Sequence, residues 1–191
     1  MSPLSVTGST TFYALIGHPV EQVRTPTVLN AHLTERGIDA VMVTFNLLPE
    51  NLEDFFKMMK GWQNCLGCCV TIPHKTQTLE LLGSLTDRAR RIGAVNIIKR
   101  DAEGYLHGDR MDGFGFLAAL KKNNATAENK NIVIVGGGGA GSAIADSVAE
   151  AGAKQLSILE INKNRQTNMI SSLRKHTPAH QFMINLFPVT A

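Results

Sequence analysis

Apolar runs of strand length alternate with segments of helical period from near the start of the chain, the signature of an α/β protein with a largely parallel sheet. Phe12–Gly17 predicts a strand, Pro26–Arg36 a helix capped by Thr25 and closed by Gly37, and Val41–Asn46 a second strand. Over Pro49–Lys60 the residues Leu52, Phe55, Phe56 and Met59 recur at the spacing of one helix face, with proline at a tolerated first-turn position. Leu66–Ile72 predicts a third strand ending at Pro73. Two short helices follow, Lys75–Leu82 and Asp87–Ile92, the second capped by Thr86. Ala94–Arg100 and Tyr105–Gly108 read as strands on either side of a turn at Asp101–Gly104, and Asp112–Lys121 reads as a helix.

The polar stretch Lys122–Lys130 then has the composition of a linker, which divides the chain into expected domains of residues 1–122 and 131–191. Beyond it the rhythm restarts. Asn131–Val135 predicts a buried strand, followed by a helix to Ala151, a strand over Gln155–Glu160, a helix over Lys163–Lys175 and a last strand near Gln181–Phe187. The expected fold is an N-terminal α/β domain plus a Rossmann-like dinucleotide-binding domain that is incomplete, since a full dinucleotide fold uses two βαβαβ halves.

Composition narrows the partners. A net charge of +3, with 19 basic residues scattered along the chain, argues against nucleic acid. The first residues carry no basic and apolar leader, and no run reaches the roughly 18 apolar residues of a membrane span, so a cytoplasmic protein, monomer or homodimer, is expected. Cys65, Cys68 and Cys69 are odd in number and crowded together, which suits neither a disulfide framework nor a complete zinc site. No metal is expected, and the cysteines read as strand residues.

The chemistry is denser elsewhere. Gly136-x-Gly138-x-x-Gly141, with Gly139 and Ala140 between, sits directly after a strand and before a helix. That is where a dinucleotide site needs glycines for a tight turn, for approach of the pyrophosphate and for close helix packing. Glu160, at the end of the next strand, is placed to accept from a ribose 2′-hydroxyl, which favours NAD slightly over NADP. The competing reading has Glu160 facing solvent while Lys163 and Arg165 reach a 2′-phosphate.

Two further residues have suggestive settings. Lys75 lies just past a strand end, where open α/β sheets bind ligands, and Asp112 opens a helix inside a glycine-punctuated run. Each is also an ordinary surface or helix-terminal charge when taken alone. Together, VTIPHK (70–75), GAVN (93–96), GDRMDGFGF (108–116) and the glycine turn resemble, in order and spacing, the signatures of the shikimate/quinate dehydrogenase family. The resemblance runs from about Phe12 to the end of the chain. It implies a substrate-binding domain followed by a nicotinamide-binding domain, a hydride transfer to or from an alicyclic hydroxy acid, and a place in aromatic amino acid biosynthesis. It also implies that Lys75 and Asp112 act together at the reacting hydroxyl, and that Asn96 and Thr71 bind ring hydroxyls. The plainer role for Asn96 and Thr71 is strand-end bonding to nearby backbone.

The chain departs from that pattern in places. Where the family has two serines that hold the substrate carboxylate, this sequence has Val23 and Thr25, the loss of one hydrogen bond worth about 0.5–1.5 kcal/mol. Cys69 stands where asparagine is common, and Arg110-Met111-Asp112 replaces Asn-Thr-Asp. Arg110 either clamps the substrate carboxylate or points to solvent. The family continues well beyond three strands of the second domain, so the resemblance implies a divergent, C-terminally truncated member with an open apolar edge at Phe182–Phe187, low stability and weak catalysis. The alternatives to an active dehydrogenase are a catalytically silent fragment that keeps ligand binding only, and a different dinucleotide-dependent reaction such as methylene-tetrahydrofolate chemistry on the same architecture.

Overall fold

The computed structural model describes residues 6–177 and, as backbone, 183–186. It divides into two compact units, Met1–Asp109 and Arg110–Ala191.

In the first unit six strands form one sheet in the order β2-β1-β3-β5-β6-β4. β1 (Thr11–Gly17) lies between β2 (Ala40–Asn46) and β3 (Cys65–Val70) and is parallel to both. α1 (Thr25–Glu35) links β1 to β2. A 3-10 turn (Pro49–Asn51) and α2 (Leu52–Gly61) link β2 to β3. The other half of the sheet is mixed, with the two strands that flank the expected turn at its centre. β5 (Ile97–Arg100) and β6 (Leu106–Asp109) are joined by a short turn, which permits only antiparallel pairing, and β5 is also antiparallel to β3. A two-residue strand, β4 (Ser84–Leu85), closes the edge beside β6.

The core of this unit is where the α2 stripe meets the sheet. Leu52, Phe55, Phe56 and Met59 pack with Ile16 of β1 and Val70 of β3. Cys65 and Cys68 are buried in the same cluster, while Cys69 is half-buried. α3 (Gln77–Leu81) is shorter than its sequence suggests, leaving Lys75 in the turn before it. α4 (Asp87–Ile92) begins as expected: Thr86 Oγ1 accepts from the Ala89 N–H at 3.3 Å. Thr25, by contrast, is the first residue of α1 and not its cap; Arg24 holds that position without a side-chain bond.

The second unit carries three parallel strands, β7 (Asn131–Val135), β8 (Gln155–Leu159) and β9 (Met183–Leu186), in that order. Its helices are α5 (Asp112–Lys122), α6 (Gly139–Glu150) and α7 (Lys163–His176). α5 packs against α6 at Gly113, where a Cβ would overlap Ser147 Oγ and the Ala143 carbonyl. Phe116, Leu117 and Leu120 of α5 extend the core formed by Val148, Leu156 and Ile158. α5 therefore packs with the second unit, and the polar stretch 122–130 lies inside that unit. There Ala127 is buried and the Asn129 N–H donates to Gly152 O at 2.9 Å.

β7 is not the fully buried strand its apolar run suggests. Ile134 is buried, whereas Val133 and Val135 on the opposite face are 59% and 80% exposed. Of the expected last strand, Met183–Leu186 is described as backbone, and the side chains of Phe182–Phe187 lie outside the described residues. Among the described residues no helix is long and apolar enough to cross a membrane, and no group of three or more His, Cys, Asp or Glu is placed to hold a metal ion.

Candidate functional site

In the first unit the candidate residues are fixed by backbone bonds where β3 ends and β5 begins. The Val70 N–H donates to the Asn96 carbonyl at 2.9 Å, and the Asn96 N–H donates to Asp109 O at 3.0 Å. The Val95 N–H donates to the Lys75 carbonyl at 2.8 Å, and the Thr71 N–H to Ile16 O at 2.9 Å. Thr71, Lys75 and Asn96, all half-buried, thus leave adjoining chain segments tied to one another. Thr25 is exposed and borders an open cavity of about 730 Å³ with Val28, Leu29, His32, Cys69 and Ile97. Cys69, on β3 and two residues before Thr71, lines the same cavity as Thr25.

Three supporting groups escaped the sequence reading. The Asp109 carboxylate accepts from Thr86 Oγ1 at 2.6 Å and from the Arg88 guanidinium, with Nε at 2.6 Å, which anchors the end of β6 to α4. His18 Nδ1 lies 2.8 Å from Asn46 Oδ1, beside the ends of β1 and β2. His74 is buried with Nε2 2.8 Å from Leu47 O, and burial pushes its pKa below the usual 6.5. The GDRMDG run and the two histidines beside prolines were the only signals available for them.

In the second unit the glycine turn is built from main chain. Gly136 has φ +94°, a left-handed conformation that favours glycine, and its N–H donates to Leu159 O at 2.8 Å. A Cβ at Gly141 would overlap Gly136 O, so α6 meets the turn through bare backbone. A Cβ at Gly138, at the cap of α6, would meet nothing within 4 Å; the space over the helix N-terminus is open. The first N–H groups of a helix have no intrahelical acceptor, and the room beside Gly138 leaves space near them for an anion. The residues present fit the pyrophosphate of a dinucleotide.

Glu160 stands at the tip of β8, and the reading that turns it to solvent is overturned: it is only 7% exposed. Oε1 accepts from the Asn162 N–H at 2.8 Å and Oε2 from the Gly137 N–H at 2.6 Å, with Arg165 Nη1 at 3.6 Å. These two amides, Asn162 first, hold its pKa below the usual carboxylate value. Arg110 does not point to solvent either. Its side chain is fully buried, donating to Gly139 O and lying 2.8 Å from Asp112 Oδ2. Asp112, half-buried, opens α5. Lys75 belongs to the first unit, whereas Arg110, Asp112 and the glycine turn belong to the second.

Known proteins match both units. Residues 15–98 match the family described as the shikimate dehydrogenase substrate binding domain. A shikimate dehydrogenase (NADP(+)) of Rhodospirillum rubrum is 35% identical over 175 residues, 91% of this chain and 62% of that protein. The crystal structure of shikimate 5-dehydrogenase from Listeria monocytogenes, in complex with shikimate and NAD, superposes with a TM-score of 0.87 at 29% identity, over 96% of this chain and 63% of that one. The 5-ketofructose reductase of a Gluconobacter strain superposes with a TM-score of 0.85 at 28% identity, over 95% of this chain and 63% of its own. This chain therefore spans about three fifths of the length of the relatives it matches. With the strand-end residues of one unit, the glycine turn of the other and these likenesses in agreement, the chain belongs to the shikimate/quinate dehydrogenase family.

Proposed function

We propose that this protein is an oxidoreductase of the shikimate dehydrogenase type, transferring a hydride between a nicotinamide cofactor and shikimate, quinate or a related alicyclic hydroxy acid. The observation that carries the reading is the backbone tie between the segments bearing Thr71, Lys75 and Asn96, which joins the end of β3 and the turn before α3 to the residues that lead into β5. Oxidising a secondary alcohol removes a proton from oxygen and a hydride from carbon; the nicotinamide, when bound, supplies the hydride acceptor. The chain's own part is to hold the ring hydroxyls through Asn96 and Thr71 and to move the hydroxyl proton, with Lys75 and Asp112 as the exchanging groups. The ammonium of Lys75 also stabilises negative charge developing on the oxygen.

For the cofactor, NAD is favoured over NADP. Glu160 places a buried anion beside the glycine turn, where it attracts a ribose hydroxyl and repels a 2′-phosphate, and the next residue, Ile161, is apolar and 83% exposed. Shikimate, quinate and their aminated analogues should be offered to the full chain with NAD and with NADP, followed by nicotinamide absorbance and by calorimetric titration of each cofactor. Turnover of an alicyclic hydroxy acid is expected, with NAD bound more tightly than NADP. Ligand binding without turnover would replace the dehydrogenase reading with that of a silent binding protein. Tighter NADP binding would overturn the NAD preference alone.

A further inference from the structure

A buried cation lies against the glycine turn. Arg110 comes from the segment between β6 and α5, and its side chain is fully buried. Nη2 donates to the carbonyl of Gly139, the first residue of α6. The same nitrogen lies 2.8 Å from Asp112 Oδ2. Gly139 eases the approach, since a Cβ there would make a tight 3.1 Å contact with Nη2. Burial lowers the pKa of Arg110 and Asp112 opposes that shift, but a guanidinium stays charged near neutral pH in either case.

We propose that Arg110 is a positioning residue for the dinucleotide: its buried charge reinforces the N-terminus of α6 and tightens the hold of the glycine turn on an anionic pyrophosphate, while Asp112 moderates that charge. The inference rests on the reading of the turn as a dinucleotide site. A helix N-terminus offers about half a positive charge, spread over its first amides. Arg110 adds a whole one from the buried side of the same turn, and buried charges are weakly screened. Its bond to Gly139 O also fixes the first residue of the helix, next to Gly138, where an added Cβ would meet nothing within 4 Å. Arg110 thereby acts on the cofactor side of the chemistry and not as a clamp on a substrate carboxylate.

The electrostatic role carries a signature that a purely structural brace lacks: removing the cation and neutralising its partner shift dinucleotide affinity in opposite directions. The full chain and its R110M, R110K and D112N variants should be titrated calorimetrically with NAD, ADP and adenosine, with thermal melting of each as a check on folding. R110M is expected to raise the Kd for NAD and ADP by about tenfold, within the range of a charge at a helix terminus, and to leave adenosine, which lacks phosphate, unchanged. R110K should recover most of the loss, and D112N should lower the Kd for NAD by about threefold. Equal NAD affinity in R110M and the unaltered chain, or shifts of the same sign in R110M and D112N, would overturn the inference while leaving the dinucleotide site in place. If R110M does not fold, D112N decides, tighter binding supporting the role and unchanged or weaker binding refuting it. No dinucleotide binding by the unaltered chain would overturn the cofactor reading and this inference with it.

Discussion

The two units assemble their polar chemistry from different materials. In the first, Thr71, Lys75 and Asn96 stand on a strand end, a turn and a strand approach whose backbone is already paired, so the scaffold is satisfied before any ligand arrives. In the second, the chemistry is main chain: a left-handed Gly136, an open Gly138 and helix amides, with Glu160 and Arg110 engaging the backbone of the turn from two sides. Truncating a side chain in the first unit should therefore remove function and spare structure. Adding a single methyl group in the second should damage both.

The sharpest way to break this contrast is Lys75→Ala. Turnover should fall by about 10²–10⁴, the range of a positioned acid–base group, while calorimetry shows NAD affinity unchanged. Retained turnover would remove Lys75 from the chemistry. In the second unit Gly141→Ala puts a methyl group into Gly136 O, and overpacking of this kind costs about 1–3 kcal/mol. The denaturant midpoint should drop and NAD binding should be lost together; a stable variant that still binds NAD would show that the turn has room to relax. Asn162→Ala removes the oxygen that accepts the Arg165 N–H at 3.0 Å and caps α7, a loss of about 1 kcal/mol readable in the same denaturation curves.

The smallest expected effect distinguishes the units by pH. His74, in the first, has its pKa lowered by burial, so the unfolded chain takes up the proton first and stability declines as pH falls below the ordinary 6.5. Glu160, in the second, has its pKa lowered by the Asn162 and Gly137 amides, and its contribution persists until pH falls below the ordinary 4.5. Trp62, the single tryptophan, packs against Phe12 and Phe55 and reports on the first unit alone. Between pH 7 and 5 the denaturation midpoint read by Trp62 fluorescence should fall, and His74→Gln should flatten that slope. A midpoint independent of pH over this range would refute the assignment to His74.

Much of this architecture was legible because it is local. The α2 stripe, the Thr86 cap and the glycine turn each declare themselves within a few residues. The burial of Glu160 was within reach too: parallel register pairs Val135 with Leu159, so the residue after β8 necessarily stands beside the turn after β7. Other features depend on partners that spacing does not reveal. The apolar face of α5, with Phe116, Leu117 and Leu120, is readable, but nothing local says which core it joins. Likewise NIVIV reads as a buried run, and only the packing shows that Val133 and Val135 lie on an uncovered face. At the start of α1, Thr25-Pro26 looks like a cap followed by its first helical residue. Proline is equally tolerated one position later, and the helix begins at Thr25 itself. Arg110 was beyond reach, since the carbonyl it binds lies 29 residues further along the chain.

Placing α5 in the second unit also bears on recombination. A crossover between Asp109 and Arg110 would transfer Asp112, its guanidinium partner and the glycine turn as one inherited block. A crossover in the polar stretch 122–130, the more obvious seam in the sequence, would cut through the second core and separate Arg110 from Gly139. Chimeras joined at the first seam should keep the Arg110–Asp112 pair and the Gly139 contact intact, so the carboxylate at the start of α5 travels with the glycine turn and not with the sheet that carries Lys75.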